Sequence, residues 1–205
     1  MEAFLQLIKL PKVSDEQNRF LIGEITDEEI KKAISYSKIN KASGSDGFPA
    51  EWYKEMKDLL TPRMKTTYNH VLKTDVVPLS WKEAVISVIP KEGKVKLDCG
   101  SYRPISVLNQ DYKIFTHILA KRIENILPQI ISLDQTGFIQ QGQTQDSIRR
   151  TLHVIEEINK NKLQAVMFSL DAEKAFDRVN WEFLFRLLDK FGFHQIFIKT
   201  IKSTI

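Results

Sequence analysis

The segment QAVMFSLDAEKAFDRVNW, residues 164–181, joins an apolar block to a run of charged and aromatic residues. Its first half, with Val166, Phe168 and Leu170, has the nearly continuous apolar character of a buried β-strand. Asp171 ends that strand, and burying a carboxylate is costly unless a cation or hydrogen bonds compensate for its charge. The pattern therefore predicts a buried strand that presents Asp171 to a positively charged partner.

Position alone leaves two explanations of Asp171 open. As a structural residue it would cap the next turn or pair with Lys174, whereas as a functional residue it would bind a metal ion. Two later acids are weaker candidates: Asp177 is expected to help start the following helix, and Glu173 to point to solvent. Structural ion pairs are commoner than metal ligands, so the first explanation is favoured until other residues are considered.

The chain before this segment is predicted to be mainly helical. Thr26 and Glu29 fit a capping box, and Ile25 with Ile30 fits a hydrophobic staple, so a helix should begin near Asp27. Caps, apolar spacing and the positions of Gly and Pro predict further helices: from Ala50, over 62–72, from Gln110 to just before Pro128, over about 146–160 with Ile148, Leu152, Ile155 and Ile158 facing inward, and from an Asn180 cap to Gly192.

Two other segments are predicted to contain β-structure. AVISVIPK, residues 84–91, reads as a buried strand because its β-branched residues are almost uninterrupted. Residues 91–103 are polar and contain two glycines, which predicts a loop or hairpin tip leading to a second apolar stretch. Helices that precede strands and then alternate with them favour an α+β or mixed α/β fold, with the strand order left open.

Composition sets limits on the class of protein. With 205 residues, 42% hydrophobic and 27% charged, the chain can bury a sizeable core. A net charge of +4 permits contact with phosphates but is not that of a basic tail. The apolar run that Pro11 closes is too short to cross a bilayer, and Glu2 stands where a signal peptide needs positive charge, so we expect an intracellular protein, nuclear or cytoplasmic, without membrane contact.

Residue types that commonly bind zinc or form disulfides are sparse. Cys99 is the single cysteine, so neither an internal disulfide nor a cysteine-based zinc site is expected. The four histidines are scattered among helical patterns, which indicates structural roles rather than a metal cluster.

Five stretches resemble, in the same order, the blocks of a known family. LDAEKAFDRVNW resembles the first catalytic motif of reverse transcriptases, in the version used by non-LTR retrotransposons of the long interspersed nuclear element class. The other four are similar to the N-terminal, fingers and following blocks of that family: SGSDGFPAEWYK, WKEAVISVIPKEGK, SYRPISVLNQDYKIFTHILAKRIENIL and DQTGFIQQGQTQDSI. Two departures are the missing Pro within SGSDG and the presence of Gln141.

The resemblance implies a fold and a division of the chain. The expected fold is α+β, a partial right-hand polymerase fold with fingers and an incomplete palm, helix-rich with a small sheet. Residues 1–23 would be an N-terminal extension, 24–163 a fingers-like region, and 164–205 the start of the palm with the first catalytic motif.

It also implies roles for particular residues around the incoming nucleotide. Asp171 would be catalytic and would bind the metal ions together with the backbone carbonyl of Ala172. Phe176 would pack under the sugar and exclude a 2′-hydroxyl, although position alone favours a core aromatic. Lys91 and Arg103 would contact the triphosphate, whereas without the resemblance they would be solvated surface charges.

A further block is thought to shape the template path in the family. Gln135, Gly137 and Phe138 match it and are candidate nucleic-acid contacts, although a turn alone would explain Gly137. In the complete family enzyme the partners are an RNA template, a DNA primer and deoxynucleoside triphosphates.

The later carboxylates of the family are missing from this sequence. Reverse transcriptases need two adjacent Asp residues on a later hairpin, and no Asp-Asp pair occurs here. Binding of Mg²⁺, or alternatively of Mn²⁺, is therefore expected only in a complete domain. The chain by itself should be inactive and prone to self-association. The alternative is a non-catalytic nucleic-acid-binding or protein-interaction module derived from such an element.

Overall fold

The computed structural model describes residues 2–132, 134–137, 139, 142–172 and 174–204. Helices dominate these ranges, with one small antiparallel sheet, in agreement with the expected helix-rich α+β class. The α-helices are α1 (Glu2–Leu7), α2 (Asp15–Ile22), α3 (Asp27–Tyr36), α4 (Ala50–Glu55), α5 (Lys57–Thr74), α6 (Gln110–Glu124), α7 (Leu127–Ile130), α8 (Thr144–Lys160), α9 (Trp181–Phe191) and α10 (Gln195–Thr204). Short 3₁₀ helices span Leu79–Lys82 and Cys99–Ser101, and the strands are β1 (Ala84–Pro90) and β2 (Tyr102–Leu108).

The start of α3 is fixed by the predicted capping box. Glu29 N–H donates to Thr26 Oγ1 at 3.2 Å, and Thr26 N–H donates back to Glu29 Oε2 at 2.9 Å. Ile25 and Ile30, the two members of the hydrophobic staple, are completely buried. The predicted start of this helix near Asp27 is therefore confirmed.

Residues 19–122 and 194–205 form one compact unit. In its core the Tyr68 ring lies 5.1 Å from that of Phe115, and Trp81 lies 4.9 Å from Phe115. The Tyr68 hydroxyl donates to the backbone carbonyl of Asp111 at 2.8 Å, and Trp81 Nε1 donates to the Asp111 carboxylate at 2.7 Å. Both buried polar tips are thus hydrogen-bonded.

A second compact unit comprises residues 1–18 and 123–193. Asn180 caps α9 as predicted, since its side chain accepts from Phe183 N–H at 2.9 Å. Gly192 ends the same helix with a φ of 82°, the left-handed conformation that glycine adopts readily. These boundaries differ from the division derived from the family, which stays a prediction.

Two predicted helix boundaries were wrong. α5 begins at Lys57 rather than near Pro62, so Pro62 lies inside the helix, where it removes one backbone donor but fits the helical φ. The predicted helix from Gln110 ends at Glu124, and a separate short helix, α7, begins at Leu127 with Pro128 in its first turn. Proline thus starts a helix where the sequence pattern predicted only an end.

The strand predicted at residues 84–91 exists as β1, but the prediction that it is buried was wrong. β1 pairs antiparallel with β2, Ala84 opposite Leu108 and Pro90 opposite Tyr102. Every residue of β1 is exposed. Within the described part of the chain no other strand joins this hairpin, so its apolar residues have no second layer against which to pack.

The segment that ends in Asp171 was also predicted wrongly. Residues 163–172 have no regular secondary structure, and Phe168 and Leu170 are 80% and 93% exposed. Apolar, β-branched sequence favours a buried strand only where partner strands are available. No described strand pairs with this segment, so its preference is not satisfied in this structure.

Helix α8 was located correctly, but its apolar side is not inward. The predicted span of about 146–160 lies within Thr144–Lys160. Ile148 and Leu152 are 55% and 56% exposed, and Ile155 is 37% exposed. Amphipathic spacing therefore predicted the helix correctly but not its burial.

Candidate functional site

The β1–β2 hairpin brings Lys91 and Arg103 to the same end of the sheet. Arg103 lies opposite Ile89 in the register, and Lys91 N–H donates to Ser101 O at 2.7 Å, directly after the ladder. Because alternate residues of a strand share a face, Lys91 and Arg103 are diagonal neighbours on one side. Two residues that are twelve positions apart in the chain thus form one cationic corner.

The loop between the two strands holds one of these cations. Lys91 Nζ donates to Gly100 O at 2.8 Å, while Arg103 is exposed. Asp98 caps the short helix at Cys99 by accepting Gly100 N–H at 3.0 Å. An ammonium has three donors, so Lys91 can hold this loop and still contact a phosphate oxygen. Lys94 and Lys96 are exposed in the same loop.

Asp171 and Ala172 are both exposed, which differs from the predicted end of a buried strand. They precede a turn in which Arg178 N–H donates to Lys174 O at 3.1 Å. Because the Asp171 carboxylate is not buried, it needs no cation to compensate for desolvation. The reason for predicting a positively charged partner is therefore absent in this structure.

The residues present do not build a metal site by themselves. Among the described residues, no group of three or more His, Cys, Asp or Glu side chains lies close enough to hold an ion. A single exposed carboxylate is insufficient, because divalent cations in proteins take several oxygen ligands. Asp171 could therefore act as a metal ligand only together with carboxylates from outside the residues described.

Phe176 is 77% exposed, so in this structure it is not the core aromatic that its position alone favoured. Lys174, two residues earlier, has a φ of 51°, and Val179 N–H donates to Phe176 O at 3.3 Å. The turn that follows Asp171 thus leaves the ring accessible at its surface.

The predicted template-path residues lie beside α8. Gln135 Nε2 donates to Gly137 O at 3.0 Å, which closes a local turn. Thr136 and Ser147 hydroxyls lie 2.7 Å apart, and Arg150 donates to Asp134 at 2.6 Å. Phe138, the third predicted residue, lies outside the described residues, as do Gln141 and Glu173.

Two groups of charged residues were missed by sequence reasoning. Arg122 is buried and hydrogen-bonded to Glu29. Lys38, Lys41 and Lys113 surround a cavity between α3 and α6. Lys38 and Lys41 are near neighbours in the sequence, but Arg122 and Lys113 reach their partners only through the tertiary fold, which periodicity does not reveal.

Comparison with known proteins defines the class. Residues 89–205 match the family described as "Reverse transcriptase (RNA-dependent DNA polymerase)", and the chain belongs to this family. Its relatives are proteins of non-LTR retrotransposons, as the motif order predicted. The matched region contains Lys91, Arg103, Asp171 and Phe176.

Three relatives illustrate the extent of the similarity. A transposon TX1 uncharacterized 149 kDa protein of Xenopus laevis is 30% identical over 95% of this chain and 15% of its own length. The RNA-directed DNA polymerase from mobile element jockey of Drosophila melanogaster is 32% identical over 77% of this chain and 18% of its length. The retrovirus-related Pol polyprotein from type-1 retrotransposable element R1 of Bradysia coprophila is 26% identical over 84% of this chain and 17% of its own length. The chain thus spans less than a fifth of each relative.

Within the described ranges, every helix is too short or too polar to cross a membrane.

Proposed function

We propose that this chain supplies the fingers and the first palm motif of an RNA-directed DNA polymerase with a right-hand fold. The observation that carries the proposal is the family match over residues 89–205, which includes all eight site residues assigned from the sequence. The relative from jockey is named as an RNA-directed DNA polymerase. The reaction is attack of a primer 3′-oxygen on a deoxynucleoside triphosphate, with release of pyrophosphate, directed by an RNA template.

In this proposal Asp171 is the catalytic carboxylate of the first motif. Together with the Ala172 carbonyl it would hold divalent metal ions, Mg²⁺ or Mn²⁺, in a complete domain. When bound, such ions stabilise charge on the attacking and leaving oxygens. The remaining carboxylates must come from elsewhere, since the 205 residues contain no Asp-Asp pair.

Lys91 and Arg103 are proposed to position the triphosphate. Their place at the same end and on the same face of the hairpin supports this role, because both side chains carry donors suited to phosphate oxygens. The guanidinium is exposed and offers a fork of donors, and the ammonium acts as a point charge. Gln135, Gly137 and Phe138 are proposed to contact the template strand.

A test of the triphosphate contacts uses a chimera in which the palm and thumb of a jockey-type relative complete this chain. Arg103→Ala and Lys91→Ala should each lower kcat/KM for nucleotide by about tenfold or more, because a hydrogen bond to a charged group is worth about 1.5–3 kcal/mol. Steady-state primer extension measures the change. Lys94→Ala, from the same loop, is the matched control and should change it little. Loss of template affinity with unchanged nucleotide kinetics would instead place Lys91 and Arg103 on the nucleic-acid backbone.

Phe176→Val tests the proposed sugar contact in the same chimera. Removal of the ring should open space for a 2′-hydroxyl and reduce discrimination against ribonucleotides by about tenfold or more. The measurement is the ratio of kcat/KM for a deoxynucleotide to that for the matching ribonucleotide. Phe168→Val, a change of the same size at a similarly exposed ring, should leave the ratio unaltered. An unchanged ratio for Phe176→Val would show that the ring does not face the sugar.

A second candidate function is a non-catalytic module that binds nucleic acid or a protein. The observation that favours it is the exposed apolar surface of the β1–β2 hairpin, which fits self-association or contact with a partner. The chimera separates the two candidates. Templated extension supports the polymerase segment, whereas a folded chimera without extension supports the module.

A further inference from the structure

A cavity of about 210 Å³ lies between the C-terminal end of α3 and the N-terminal half of α6, within a single compact unit. Its lining includes three lysines, Lys38, Lys41 and Lys113, and the polar side chains of Ser37 and Gln110. None of the described residues that line it is acidic. The volume equals that of about seven water molecules at roughly 30 Å³ each, enough for a small anionic group.

The cavity walls are held by hydrogen bonds. Gln110 Nε2 donates to Ser37 Oγ at 2.9 Å, and Ser37 Oγ donates to Ala33 O at 3.1 Å. Gln110 and Lys113 lie on one face of α6, since residues three apart are neighbours on a helix. The position of Lys113 relative to the end of α3 is therefore determined by the packing of two helices.

The loop after α3 brings the other two lysines to the same place. Asn40 has a φ of 56°, a left-handed conformation that asparagine tolerates. The backbone N–H of Asn40 donates to the Glu51 side chain, which fixes this turn. Lys38 and Lys41 lie on either side of Asn40, and both line the cavity. The backbone N–H of Asn40 thus occupies one oxygen, Oε1, of the Glu51 carboxylate.

The three lysines differ from their neighbours in their ionic contacts. On the adjoining helices Lys31 pairs with Asp58 at 2.8 Å and Lys65 with Asp27 at 3.0 Å. Within the described part of the chain, Lys38, Lys41 and Lys113 form no such pair. Like charges gathered around one cavity repel each other, and a bound anion would remove that repulsion.

We propose that this cavity binds a phosphate group of a nucleic-acid backbone. This inference rests on the proposed function, because a polymerase segment meets nucleic acid as its principal polyanion. The three ammonium groups more than balance the single negative charge of a backbone phosphate, and Ser37 and Gln110 supply neutral polar contacts of the kind that position a backbone. None of these contacts reads a base edge, so binding is independent of sequence.

Tyr36 extends the site beyond the phosphate. It is 68% exposed and its ring lies 6.0 Å from that of His117, both on the cavity wall. An exposed aromatic beside a phosphate site offers a surface on which an unpaired base can stack. The geometry therefore fits a single strand better than a duplex, whose bases are already stacked.

The test measures binding of a fluorescent single-stranded RNA of mixed sequence to the full chain over a series of KCl concentrations. The variant carries Lys38→Gln, Lys41→Gln and Lys113→Gln. Its affinity at low salt should fall by about tenfold or more, and the slope of log Kobs against log[salt] should decrease in magnitude by about 0.7, the value for one neutralised phosphate.

The matched control carries Lys32→Gln, Lys82→Gln and Lys199→Gln. These lysines are exposed in the same compact unit and do not line the cavity, so the net charge changes equally. The control should keep the parent slope. Equal losses in the two variants would show general electrostatic attraction, and parent-like binding by the cavity variant would show that no phosphate binds there; either result overturns the proposal.

Two further measurements distinguish RNA from small phosphates as the ligand, and this inference from the proposed function. Inorganic pyrophosphate is titrated into the parent chain; if it binds at this cavity while RNA affinity is insensitive to the cavity variant, the site serves small phosphates and the proposal fails. Primer extension by the chimera is measured independently. An active chimera with parent-like RNA binding by the cavity variant contradicts only this inference, whereas an inactive chimera with the altered salt slope contradicts only the proposed function.

Discussion

Primer extension is expected to fall on the order of a thousandfold when Asp171 is replaced by asparagine in the completed chimera. The amide keeps the shape of the side chain but removes the negative charge needed to bind divalent cations. Metal ions supply several kcal/mol of transition-state stabilisation, and about 4 kcal/mol corresponds to this loss. Single-turnover extension of a labelled primer on an RNA template measures the rate of the chemical step.

The control for this substitution is Asp15→Asn. Asp15 is also an exposed aspartate of the same compact unit, but it lies outside the motif blocks. The Asp15→Asn substitution should leave the rate of primer extension within a few-fold of that of the parent. Extension by Asp171→Asn at a rate close to that of the control would remove Asp171 from the proposed catalytic centre.

Arg122→Met is expected to lower the free energy of unfolding by about 3–5 kcal/mol, because it leaves a carboxylate and several carbonyl groups without their donor. Arg122 is 3% exposed. It donates to both oxygens of Glu29, at 2.7 and 2.9 Å. It also donates to the backbone carbonyls of Leu21, Gly23 and Glu24 at 2.7–3.1 Å. All five guanidinium N–H groups are thus used, and the end of α2 is tied to the start of α3.

The Glu29 partner gives this stabilisation a pH dependence. Burial raises the pKa of Glu29, but hydrogen bonds from Arg122 and the Thr26 backbone, together with the charge of Arg122, outweigh it and lower the pKa below its ordinary value. A depressed carboxyl pKa stabilises the fold above the unfolded pKa, and the contribution is lost as pH falls through the folded value. The stability difference between parent and Arg122→Met should therefore shrink in acid.

Urea unfolding, monitored by tryptophan fluorescence at neutral and at acidic pH, measures both the loss of unfolding free energy and its pH dependence. A Trp181→Phe background leaves Trp52 and Trp81, which lie in the same compact unit as Arg122. Arg63→Met, at an exposed arginine of that unit, is the control and should change stability by no more than about 0.5 kcal/mol. A loss for Arg122→Met no larger than that of the control would contradict the structural role assigned to the buried guanidinium.

Local signals predicted the helical part of the fold well. Thr26 with Glu29, Asn180 and Gly192 act through backbone groups within a few residues, so their effect can be read from adjacent sequence. The hairpin was also predictable, since polar residues with two glycines separate its apolar strands. Pro62 was misleading because proline was expected to begin a helix rather than lie inside one.

Burial was less predictable than secondary structure. The apolar residues of β1 and of residues 164–170 indicate what each segment prefers to contact, but not whether a partner is present. The two groups of charged residues could not be predicted from the sequence for a different reason. Arg122 hydrogen-bonds to Glu29, and Lys113 lines the same cavity as Lys38, only because distant parts of the chain pack together.

For the candidate site, the sequence predicted residue types and motif order, and the family match supports the assignment of the class. Lys91 and Arg103 could be paired in advance because a hairpin joins them. The roles of Asp171 and Phe176 stay predictions, because both residues lie in an exposed turn and no group of three or more His, Cys, Asp or Glu side chains forms among the described residues.

The exposed segment before Asp171 also bears on how concentrated the chain can be kept. Residues 165–170 form an apolar hexapeptide with one serine and without charge, proline or glycine, the kind of sequence that stacks into cross-β fibrils when accessible. Lys162 and Asp171 flank it as charged gatekeepers, which oppose such stacking by mutual repulsion between chains. Asp171→Asn removes one gatekeeper, so the carboxylate proposed for catalysis also protects the chain from fibril formation.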